Sequence, residues 1–137
     1  MNRSHKWIVS LLALCVLSTL ALAAEASPAG VWKWKVQGRQ SSQGFEQTLR
    51  LEYKDGKLTG VMPGREAGRF SVPDTPISDA SFKDGVIKFA ITREFNGQKF
   101  TTRYEGKLEG DMIAGTFERE DMDRKAPAKS PWKARRQ

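Results

Sequence analysis

The sequence is poor in the side chains that most often act as nucleophiles and metal ligands. It has one cysteine, Cys15, and one histidine, His5. Both fall in an N-terminal segment that reads as an export signal. Once that segment is removed, no thiol and no imidazole remain. This excludes Ser-His-Asp and Cys-His catalysis, a Cys/His zinc site, c-type haem attachment and any disulfide. No Gly-rich phosphate loop is present. Carboxylates do occur in pairs, Glu118 with Glu120 and Asp121 with Asp123. Both pairs lie in a charge-rich strand end and loop, where solvation keeps carboxylates ordinary and singles out no general acid. Asp121-x-Asp123 begins like a calcium loop, but the rest of that motif is missing. The expectation is a non-enzyme with no metal and no cofactor.

The signal has three parts. Arg3 and Lys6 are its positive start, Trp7 to Ala24 its apolar run, and Ala21-Leu22-Ala23 or Ala24-Glu25-Ala26 its cleavage site. Cleavage follows Ala23 or Ala26. The Ala-rich end distinguishes the segment from an uncleaved anchor, and no membrane span is expected after cleavage. Leu14 stands where a lipobox needs a small residue, so Cys15 is read as an apolar filler. The predicted destination is the periplasm or the exterior, with residues 24–137 forming a single domain.

The chain carries 23 Lys+Arg against 16 Asp+Glu, a formal charge of +7. Two of the basic residues leave with the signal. Six more, Arg124, Lys125, Lys129, Lys133, Arg135 and Arg136, lie in residues 124–137, which hold no acid. The body between is nearly neutral. The basicity therefore belongs to a C-terminal segment, read as a last strand with a solvated tail that could attract an anionic surface. Nucleic acid is not an expected partner of an exported protein.

From residue 31 onward apolar and polar residues alternate with period two, the mark of an all-β chain. Strands are predicted at 31–37, 45–54, 57–62, 76–82, 86–94, 99–108, 112–120 and 131–135, with 63–75 irregular. Asp55-Gly56, Asp84-Gly85 and Asn96-Gly97 are two-residue hairpin signals. Val86–Glu94 weakly echoes Met112–Glu120, as in a meander of similar hairpins. About eight strands in an up-and-down antiparallel meander suggest a small closed barrel, which removes both edges; a two-sheet sandwich is the alternative.

Gly30-Val31-Trp32 opens the first strand, and Arg135 or Arg136 ends the last. This resembles the calycin pattern of lipocalins and avidin-like proteins. The resemblance implies a barrel whose closed end holds Trp32 beneath an arginine of the final strand, with Arg135 the first candidate. The chain also resembles small exported bacterial β-domain proteins through Leu58-Thr59-Gly60 and the Gly110 to Thr116 segment. It lacks the T-D-Y segment of lipocalins, their disulfides and a set of biotin-binding residues, so the likeness extends to fold and not to ligand.

Meander topology puts the turns at 55–56, 84–85 and 109–111 at the Trp32 end, and every longer loop at the other. Towards that open end the inward face changes character. Gln47, Arg93, Thr102 and Arg119 appear there among Phe45, Phe95 and Phe100. A few polar groups over an apolar floor compose a small-molecule pocket, and two arginines suit a carboxylate or phosphate. The alternatives are a barrel filled by Trp34, Phe89 and Phe117, and an envelope or extracellular interaction module whose protein partner the sequence does not name.

Overall fold

A computed structural model describes residues 26–37, 44–120 and 128–137, without the side chains of Ala67, Phe70 and Phe95. The export signal, Asp121, Asp123 and the start of the basic segment lie outside these residues. The chain is all-β. Its strands are β1 (Gly30–Val36), β2 (Phe45–Lys54), β3 (Lys57–Met62), β4 (Arg65–Ala67), β5 (Phe70–Val72), β6 (Thr75–Pro76), β7 (Ser78–Lys83), β8 (Val86–Phe95), β9 (Gln98–Glu109), β10 (Met112–Arg119) and β11 (Ala128–Arg136). Nine of them form one antiparallel meander in the order β6-β3-β2-β1-β11-β10-β9-β8-β7, and β4 and β5 make a separate hairpin.

The tight turns follow directly from the sequence. Asp55-Gly56, Asp84-Gly85 and Asn96-Gly97 all take positive φ at both positions, between 52° and 75°. That geometry matches the right-handed twist of the flanking strands, and Asp-Gly and Asn-Gly tolerate it. The region 63–75 is more ordered than its Pro and Gly content suggests, since it holds β4, β5 and β6. The single strand expected at 76–82 is divided. Thr75-Pro76 pairs with β3, whereas Ser78–Lys83 pairs with β8, with a register shift between Ser78 and Ser81 and Asp79 at φ 49°. Between the two halves the Ile77 amide donates to the Gly60 carbonyl at 3.0 Å. β3 and β7 also lie against each other.

Alternation places Trp32, Leu49, Ile87 and Ile113 in the core with no exposure. Above them is a layer of aromatic rings. Phe89 stacks on Tyr104 with centroids 4.8 Å apart, and Trp132 meets Trp34 and Tyr104 edge-on at 5.6 and 5.1 Å. The Trp132 ring packs over β9 where there is no side chain: a Cβ on Gly106 would lie 2.9 Å from Trp132 Cζ3 and 2.6 Å from Ile113 Cγ2.

Trp32 donates its indole N–H to Pro28 O at 2.9 Å, and an arginine does cover its ring. That arginine is Arg136, whose guanidinium carbon sits 4.6 Å from the ring centroid. Arg135 is exposed, which corrects its assignment as the structural arginine. The reason is parity: Trp132 and Ala134 are buried, so the next inward position on β11 is 136. Arg136 also donates to Ala29 O and to Ser27 O, the latter at 2.9 Å. Asp111 Oδ1 lies 3.1 Å from its Nε as an ionic contact without hydrogen-bond alignment. The basic segment is thus not a tail from residue 128 onward, since β11 sits inside the sheet.

Candidate functional site

β2, β8, β9 and β10 each send inward-facing residues towards the end of the sheet opposite Trp32. There the aromatic layer stops and a cavity of about 340 Å³ begins. Six of the seven residues expected at a ligand site line it: Phe45, Gln47, Arg93, Phe100, Thr102 and Arg119. Register explains the grouping. Thr102 on β9 stands between Ile91 on β8 and Arg119 on β10, and Phe100 stands opposite Arg93. The seventh, Phe95, ends β8 opposite Gln98, and its side chain lies outside the described residues.

Arg93 is half-buried, and its Nε donates to Thr75 Oγ1 at 3.4 Å. Burial lowers its pKa; the nearby Tyr104 opposes that shift and Arg65 adds to it. Among the described residues no carboxylate forms an ion pair with Arg93 or Arg119. The acids on the strands around them face outward, where Glu118 meets Lys129 at 3.3 Å and Glu120 meets Arg103. Arg65 lies over the Phe45 ring, 3.6 Å from its centroid, adding a cation beside the cavity. Gln47 is buried and makes a long contact to Thr48 O at 3.4 Å, leaving amide capacity to spare.

Val36, Met62, Ile91 and Tyr104 complete the lining. Tyr104 is the addition that matters most chemically. Its phenol is pushed above the ordinary value of 10.0 by burial, with Arg119 and Arg93 pulling it back. Alternation signalled it, two residues after Thr102 on the same face. Thr75 gave no such signal, because it lies in a stretch whose pairing with β3 the sequence does not show.

A further depression of about 240 Å³ lies on the outer face, bordered by Lys88, Arg103, Glu105 and Glu118. Its basic groups are already paired, Lys88 3.6 Å from Glu105, Lys129 3.3 Å from Glu118 and Arg103 against Glu120. The cavity with unmatched arginines is therefore the better candidate. No family model, curated protein or solved structure matches the chain.

Proposed function

We propose that the chain is an exported, non-catalytic β-barrel protein that holds a small apolar or anionic ligand at its open end. One observation carries the reading: two guanidinium groups share an apolar-floored cavity and have no carboxylate partner among the described residues. Its volume falls at the lower end of the range for small-molecule sites. Arg93 and Arg119 bind the ligand's negative group, Gln47, Thr102 and Tyr104 donate hydrogen bonds, and Phe45 and Phe100 form the wall. A calycin-like closed barrel belongs to the same proposal. It is supported by the Thr75–Lys83 segment, which meets β3 through its first residues and β8 through its last.

Anilinonaphthalene sulfonate, an apolar anion, provides the test. The expected result is saturable binding of one equivalent, weakened about tenfold or more in an Arg93→Ala, Arg119→Ala variant whose melting temperature stays close to that of the parent. Equal dye affinity in parent and variant overturns the reading, as does a failure to saturate. Native mass spectrometry of protein from its own host then identifies the resident ligand by its added mass.

A further inference from the structure

β1 and β11 are neighbours in the sheet, yet they pair only through Trp32↔Arg136 and Lys33↔Arg135. Beyond Lys33 they part, although β1 continues to Val36 and β11 begins back at Ala128. A cavity of about 370 Å³ lies between them, with Lys35 and Gln37 on one rim, Pro131 and Lys133 on the other, and Phe117 and Trp132 at its floor.

The backbone facing this gap can be read from its neighbours. The Gln137 amide donates to Val31 O at 2.9 Å, and the Arg136 amide donates away from β1, to Asp111 O at 2.8 Å. Odd-numbered residues of both strands therefore turn their N–H and C=O towards the gap. Lys35 presents both groups, as does Lys133. Pro131 presents a carbonyl alone, because proline has no N–H to continue the ladder. Among the described residues, the two strand edges thus face one another without ladder partners beyond Lys33 and Arg135.

Side chains narrow what fits. On the outer side, Lys33, Lys35, Lys133 and Arg135 surround the gap. Only Lys33 has a described carboxylate partner, Glu46 at 2.9 Å. On the inner side, the buried Trp132 indole N–H has no acceptor among the described residues. Buried donors without partners are uncommon in folded proteins.

We propose that this gap receives an acidic, extended peptide as an added strand, hydrogen-bonded to β1 and β11 at once. Strand addition to an open edge is an established mode of recognition, in which main-chain bonds give affinity and alternate side chains give specificity. Period-two alternation sets the peptide's pattern. Carboxylates point outward to Lys35, Lys133 and Arg135; small apolar or hydroxyl side chains point inward to Phe117 and Trp132.

A fluorescein-labelled peptide of alternating Glu and Val tests this, compared with a peptide of the same charge in which Pro replaces Val, and with tripolyphosphate as competitor. The expected result is saturable anisotropy with the Val peptide alone, and amide exchange at Lys35 and Lys133 slowed at least tenfold in the complex. A Lys35→Glu, Lys133→Glu variant should lose at least tenfold in peptide affinity while still binding anilinonaphthalene sulfonate. Equal binding of the Pro peptide, full displacement by tripolyphosphate, or unchanged exchange at both amides overturns the proposal. The gap and the Arg93 cavity share Val36, Tyr104 and Arg119, whereas Arg93 borders the cavity alone and Lys35 and Lys133 the gap alone. Loss of dye but not peptide in Arg93→Ala, and of peptide but not dye in the lysine variant, therefore distinguishes failure of one reading from failure of the other.

Discussion

Arg136 touches more of the chain than any single bond suggests: the Trp32 face, the carbonyls of Ser27 and Ala29, and Asp111 in the turn before β10. Its removal strands two backbone acceptors and uncovers an aromatic ring. Arg136→Ala is expected to cost about 1–3 kcal/mol in urea unfolding, whereas Arg135→Ala on the exposed face should stay within about 0.5 kcal/mol. Tyr104 gives a second measurable consequence. Its pKa is raised in the folded protein, so its contribution to stability is complete below the ordinary value of 10.0 and is lost as pH climbs through the raised one. In a Tyr53→Phe protein, which leaves Tyr104 as the only tyrosine, phenolate absorbance should titrate above the ordinary value and unfolding should become easier over the same window. The inward positions of Arg93, Thr102, Tyr104 and Arg119 were legible because alternation sorts one strand's residues without reference to any other. The choice between Arg135 and Arg136 was not legible. It depends on which way β11 faces, and only packing of Trp132 and Ala134 against other strands decides that.

At the level of elements, the hairpins were plain in the sequence because Asp-Gly and Asn-Gly encode their geometry locally. The region from Gly64 to Lys83 was not plain. Its first part forms a side hairpin, and its last part divides its pairing between two strands far apart in sequence. Gly60 is where that division is accommodated. A Cβ there would overlap the Arg50 carbonyl and come 2.9 Å from Leu51 Cδ2 and 3.3 Å from Ile77 Cδ1. Gly60→Val should therefore release the Ile77 amide, seen as faster hydrogen exchange at that residue ahead of global unfolding. Gly106→Ala tests a different contact. It pushes against Trp132 and Ile113 in a close-packed layer and should lower stability by about 1–3 kcal/mol in a denaturant midpoint assay.

For the molecule as a whole, the described ion pairs other than Arg136–Asp111 lie on exposed faces, and pairs of that kind contribute little. Raising salt from about 0.05 to 0.5 M should change unfolding free energy by less than about 1 kcal/mol, leaving the core and the aromatic layer as the main source of stability. The short junction of β1 with β11 has a consequence in time as well as in space. Every other junction among β1, β2 and β3, and among β7 to β11, joins strands that follow one another in the chain, so those pairings need only small loops to close. The first and last strands are separated by nearly the whole domain, and their union rests on two residue pairs. Loop entropy makes that union the last step of folding. Until it forms, Trp32 and Trp34 sit on an open strand edge, a surface that invites association between chains. Refolding yield should accordingly fall as protein concentration rises, even under conditions where the finished protein stays soluble.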